Sequence, residues 1–227
     1  MTSAGTTVVE QIDAMLAQRD PAQQHVLVSM SEGRLSRDEV RALAAQYFHL
    51  IDALPRFVST VHAVTIAHPA IRRTLLNVLM PLELHPPSVA DLWLQTCAAL
   101  GLFSDSVRKG EPTSATIACL SDFEYLCQAG TAQGLAALYA WMTRLPQVCR
   151  IEQQAFAAHY DLKSGPGVHF FEVVGFQAES HARELRTALV ALLDQYPEAG
   201  PSSIDAAQAA VIAVEGMYLG ALANAGR

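Results

Sequence analysis

The chain has 227 residues, 51% of them hydrophobic, and a formal net charge of −7. That is enough apolar material for one domain with a substantial core, and the acidic balance offers no basic stripe for nucleic-acid phosphates or for an acidic membrane surface. No run of eighteen uninterrupted apolar residues and no basic-then-apolar leader occurs, so the expectation is a cytoplasmic protein that binds no nucleic acid and enters no membrane. The four cysteines, Cys97, Cys119, Cys127 and Cys149, form no C-x-x-C pair and read as small hydrophobes in a reducing compartment.

In chain order, Thr7 and Glu10 are spaced as a capping box ahead of Val8, Ile12, Met15 and Leu16, which predicts a first helix ending near Asp20-Pro21. A short helix follows over His25–Met30 and stops at Gly33. Ser36 and Glu39 then open a longer one, lined by Leu43, Tyr47, Leu50, Ile51 and Leu54, in which Pro55 marks a kink or an end. Further helices are expected over Pro69–Leu84, from a cap at Ser88 to Gly101, over Ser114–Gln128, over Gln133–Tyr160 with Pro146 inside it, and over Val168–Tyr196. Residues 102–112 read as a polar loop, and Ser203 as the cap of a last helix over Ile204–Leu222. Apolar spacing follows three and four throughout with no convincing strand, so the fold class is all-α, a single-domain bundle of seven or eight helices.

Several stretches, read in order, resemble a known family. They are His25 with Glu32-Gly33-Arg34-Leu35-Ser36; Gln46-Tyr47-Phe48 with Leu54-Pro55-Arg56-Phe57; Asp91-Leu92-Trp93 with Ala99-Leu100-Gly101; residues 134–140 with Leu145-Pro146; and Phe170-Phe171 with His181. The order is similar to that of the haem-oxygenase-like family that holds di-iron oxidases, the chlamydial death-domain-associating protein and PQQ synthase. The resemblance implies a haem-oxygenase-like helical bundle. In the oxidase branch it also implies six metal ligands, carboxylates and imidazoles projecting inward from several helices, a donor set suited to iron.

At the positions where the resemblance places those ligands, this chain has Val78, Val89, Met142, Val174, Ala178 and His181, so only His181 stays in register. The replacements are apolar and able to close a cavity, which argues against a conventional di-iron centre and for a protein that needs no cofactor. The alternative is an irregular iron site drawn from Glu83, His85, Glu179 and His181, although Glu83 and His85, two apart, point to different faces of a helix.

Candidate residues follow from the same register. His181, with Glu179 nearby, can act as a general base or be a leftover histidine bonded to a neighbour, and Tyr47 on an apolar helix face can meet substrate, although a buried tyrosine is more often core with a satisfied hydroxyl. Arg56, beside the expected kink, can hold a carboxylate but reads first as half of a structural salt bridge; His62 and Tyr139 can line the cavity, although a lone histidine on an apolar face is usually structural. Arg144 flanks Met142 and reads in the same way. Met80, Val89, Met142, Val174 and Ala178 predict an apolar pocket for a small hydrophobic or aromatic ligand. Cys127 and Cys149 lack the basic neighbours that would activate a thiol.

Three functions remain open at this point: a metal-independent, PQQ-synthase-like or oxidase-like biosynthetic enzyme for a small, largely apolar metabolite; a degenerate binding protein or partner of an active, metal-bearing paralogue; and an iron-dependent oxidase with an irregular site. Small residues along the last helix, Ala206, Ala207, Ala210, Gly216 and Gly220, suggest a homodimer.

Overall fold

The structure is a computed structural model and describes residues 2–84 and 87–225. Among these there is no strand, and the chain folds as ten α-helices joined by short links, three of which contain single 3-10 turns.

Helix α1 (Ala4–Gln18) begins a turn earlier than the Thr7–Glu10 spacing predicts. Ser3 is the cap, its Oγ accepting from the Thr6 amide at 3.2 Å, and Thr7 lies inside the first turn with its hydroxyl donating to the Ser3 carbonyl at 3.1 Å. After α2 (His25–Ser31), the Ser36–Glu39 box forms as expected: the Glu39 amide donates to Ser36 Oγ at 3.2 Å and the Ser36 amide to Glu39 Oε2 at 2.7 Å. It starts α3 (Arg37–Val64), which continues through Pro55 instead of ending there. Next come α4 (Pro69–Glu83) and α5 (Val89–Ala99), the latter opened by a Ser88–Asp91 box.

Residues 104–109, expected as loop, form the short helix α6 (Ser104–Lys109), whose N-cap position holds Phe103 and has no side-chain cap to signal it. Then α7 (Ser114–Ala129) meets α8 (Thr131–His159) across the single residue Gly130, whose φ of 153° is open to glycine and strained for other residues. Helix α9 (His169–Gln195) is followed by α10 (Gly200–Ala225), which starts before Ser203. That serine is inside the helix, its hydroxyl returning to the Ala199 carbonyl at 2.8 Å. Eight of the ten helices have eleven residues or more.

Helix α8 is the centre of the bundle, packed against α2, α3, α7, α9 and α10. Its residues from Gly134 to Met142 are all buried, as a helix apolar on every side must be. Helices α8 and α9 run antiparallel in a register fixed at two points. Gly175 faces Cys149, where an added Cβ would stand 3.4 Å from the cysteine Cβ, and Tyr139 and Arg186 both bind Asp13. The stretch 197–223 that includes most of α10 is long and apolar enough, by length and composition alone, to cross a bilayer; here α10 packs within the bundle against α1, α3, α7 and α8. The small residues expected to serve a dimer are mostly used inside the chain. Ala206, Ala207 and Ala210 are buried, and Gly220 sits so close to α7 that a Cβ would come within 2.2 Å of that of Ala115.

Candidate functional site

Leu145, Cys149, Glu152 and Phe156 recur on α8 at intervals of four, three and four, and all four are buried. Helical periodicity therefore carries a carboxylate into the core at a position where its neighbours are apolar. Around it stand Tyr47 of α3 and Tyr218 of α10, both buried. The Tyr218 hydroxyl donates to Glu152 Oε1 at 2.9 Å, while Glu152 Oε2 has no hydrogen-bond partner among the described residues. The rings of Tyr47 and Tyr218 lie 5.6 Å apart, and Tyr47 meets Trp93 edge-on at 5.0 Å.

Burial pushes the Glu152 carboxyl up to about 7, against the opposing pull of its bond from Tyr218. Burial, reinforced by the negative charge that Glu152 can carry, holds the Tyr47 and Tyr218 phenols and the Cys149 thiol well above their ordinary values. Near neutral pH the cluster thus contains one carboxyl able to take or give a proton, flanked by two phenols that keep theirs. That is the equipment of general acid–base chemistry.

Next to the cluster is an enclosed cavity of about 20 Å³, bounded by Tyr47, Trp141, Arg144, Glu215 and Tyr218 among others, with room for about one water. Arg144 is buried and its Nη1 donates to Glu215 Oε1 at 3.0 Å. Glu215 is also held by Gln24 Nε2 at 2.7 Å and Arg19 Nη1 at 2.8 Å. Desolvation lowers the Arg144 guanidinium from its ordinary value, opposed by the bond and charge of Glu215. On its outer side Arg144 also borders a surface groove of about 490 Å³ together with Asp13, Asp20, Tyr139 and Gln147. There Tyr139 donates to Asp13, and burial followed by that bond pushes its phenol up to about 12.

The residues expected from sequence are dispersed. Tyr47 lies in the cluster and Tyr139 in the outer groove. His181 is buried on α9, forms no hydrogen bond to a described residue, and has its imidazole pKa lowered by burial; Glu179, two residues away, is exposed on another face and is not brought to it. Arg56 is exposed, its guanidinium 5.8 Å from the ring centre of the neighbouring Phe57, and α3 presents it outward because the helix does not end at Pro55. His62 is half-buried near the end of α3. Met142, Val174 and Ala178 are buried in closed packing, as is Val89, whereas Met80 is 51% exposed and lines no inner pocket.

Glu152, Tyr218 and Glu215 do not emerge from the motifs. The signal available for Glu152 was its place in the 145–149–152–156 apolar seam.

A di-iron centre does not fit these residues. At the positions where ligands are expected, Val78, Val89, Met142, Val174 and Ala178 bring no carboxylate or imidazole, which leaves the single imidazole of His181. Among the described residues no group of three or more His, Cys, Asp or Glu is placed to hold a metal ion. Glu83 is exposed at the end of α4, away from buried His181, and His85 lies outside the described residues.

The helical bundle with its central α8 defines a protein of haem-oxygenase-like fold. A domain of that fold from Shewanella denitrificans superposes with a TM-score of 0.78 over 96% of this chain and 92% of its own, at 12% identity. The sequence model of the TENA/THI-4/PQQC family matches residues 15–222, and the chain belongs to that family. It is similar to proteins named 4-aminobenzoate synthase: that of Chlamydia pneumoniae is 30% identical over 189 residues, 83% of this chain and 84% of the relative. The protein of that name from Chlamydia trachomatis is 27% identical over 186 residues, 82% of this chain and 80% of the relative.

Proposed function

We propose that the protein is a biosynthetic enzyme for a small aromatic metabolite of the aminobenzoate kind, working at the Tyr47–Glu152–Tyr218 cluster without a metal centre. The observation that carries this reading is the buried Glu152 carboxyl, hydrogen-bonded on one oxygen, unpartnered on the other, and poised near neutral pH. In it, Glu152 moves a proton to or from the substrate, Tyr218 orients the carboxyl, and Tyr47 and Trp141 supply flat apolar walls. The relatives named 4-aminobenzoate synthase support the substrate class. Apolar side chains at five of the six inner positions support the absence of a metal.

Those same closed positions favour a second reading, a binding protein that performs no chemistry. Complementation of a bacterial strain that requires 4-aminobenzoate separates the two. Growth restored by the wild-type chain and lost with Glu152→Gln supports the enzyme; no growth with a soluble wild-type chain leaves the binder. Growth restored equally by the variant removes Glu152 from the chemistry. Iron or manganese near one equivalent per purified chain would overturn the metal-free part.

A further inference from the structure

Among the described residues, Arg144 is the one that borders both the cavity beside the reactive cluster and the groove outside it. Its side chain is 9% exposed, and among the described residues its one hydrogen bond runs from Nη1 to Glu215 Oε1 at 3.0 Å. A carboxylate can hold a guanidinium on both arms, and the arms of Arg144 that Glu215 leaves free are open to the groove rather than sealed in the core. Here the partner does not offer that grip. Glu215 Oε1 is shared between Arg144 and Gln24, and its Oε2 faces Arg19 instead. Three donors, Arg19 just after α1, Gln24 just before α2 and Arg144 of α8, thus converge on one carboxylate at the edge of the cavity, and the carboxylate is supplied by α10.

We propose that Arg144, with Arg19 and Gln24, is a receptor for the carboxylate of a small aromatic acid, and that Glu215 is the chain's own stand-in, displaced when the acid binds. The proposal names the ligand class of the site already described, and rests on that reading only for the placement of the ligand's ring toward Tyr47 and Tyr218. An acid held bidentately by Arg144 satisfies two arms where Glu215 satisfies one. Its ring takes the place of the Glu215 side chain in the cavity walled by Trp141, Val211 and Val214, which at present has room for about one water. Glu215 and Tyr218 lie three apart on one face of α10, so displacement of the first is felt by the residue that holds Glu152.

The probe is benzoate, followed by isothermal titration calorimetry and by its effect on the thermal midpoint, with neutral benzamide as control and Glu32→Gln as a control for loss of a carboxylate elsewhere. Wild type is expected to bind benzoate with an affinity that weakens as salt rises, and Glu215→Gln to bind it about tenfold more tightly, since the resident competitor has gone. Arg144→Gln, shown folded by circular dichroism, is expected to lose benzoate binding. If Glu215→Gln unfolds, the wild-type and Arg144→Gln pair decides alone. The proposal is overturned by wild type that ignores benzoate at millimolar concentration, by equal gains for benzoate and benzamide in Glu215→Gln, or by full benzoate affinity in Arg144→Gln. Glu152→Gln separates the two ideas: benzoate binding retained there, with complementation unaffected, removes the proposed chemistry and leaves the receptor standing.

Discussion

Helix α8 carries two stretches with opposite character. At Met142 it lies in closed apolar packing, and the isolated, buried His181 of α9 is near the same level of the bundle. Ten residues on, about 15 Å along the axis, Glu152 brings a carboxyl into an equally buried setting and is answered by phenols from two other helices. Equal burial with unequal polarity shows where this chain keeps its buried chemistry. A core tolerates a carboxyl only where partners share its proton or charge, and those partners stand at the second stretch alone.

The sharpest way to break the contrast is to put a carboxyl where none is answered. Met142→Glu, at the position where the family resemblance places a ligand, buries an unpaired acid and is expected to destabilise the fold by on the order of 3–5 kcal/mol at pH 8, read by urea denaturation. A loss below about 1 kcal/mol would mean that this region hides donors or water able to receive the acid.

The converse change removes the carboxyl that is answered. A raised carboxyl pKa means that the folded chain holds a proton which the unfolded chain releases between roughly pH 4.5 and 7, so stability falls as pH rises through that window. The full penalty, roughly 3 kcal/mol for a shift of this size, is present above pH 7. Glu152→Gln keeps the acceptor for Tyr218 and removes the charge; allowing for its unmatched N–H, it is expected to be about 2 kcal/mol more stable than wild type at pH 8 and to lose the downward slope. His181 acts in the opposite sense. Its pKa is lowered, so the unfolded chain takes up a proton that the folded one refuses, and stability falls as pH drops below about 6.5. In His181→Gln the acid limb flattens while the Glu152 slope stays, and chemical denaturation from pH 5 to 8 resolves the two. Persistence of the acid limb in the variant would show that His181 is not its source.

How much of this was readable in the sequence follows the reach of the interactions. The Ser36–Glu39 box and the Ser88 cap are local, set by residues three apart, and both form. Helix α6 has no such cap and stays hidden between Gly101 and Pro112. The Pro55 end did not materialise because buried residues on both sides of the proline, from Leu50 to Val61, anchor α3 through it. The cluster is the least local feature: Tyr47, Glu152 and Tyr218 sit on helices near the start, middle and end of the chain. Only the packing of α3, α8 and α10 unites them. A family pattern directs attention to the positions where metal ligands are expected and away from an acid outside that pattern.

The smallest expected effect tests the boundary between the core and the outer groove. Tyr139 was a candidate for contact with ligand, and its hydroxyl instead joins Asp13 with Arg186, tying α8 to α1 and α9. Tyr139→Phe keeps the ring in place and deletes one bond to a carboxylate that retains its arginine, so the cost is expected to be about 1 kcal/mol, measured by urea denaturation at neutral pH. Because the phenol faces the groove rather than the cavity of Arg144 and Glu152, benzoate binding is expected to stay within about twofold of wild type. A larger change in binding at that small cost would move the ligand outward, past Arg144 and into the groove, and would make the enclosed cavity a water site.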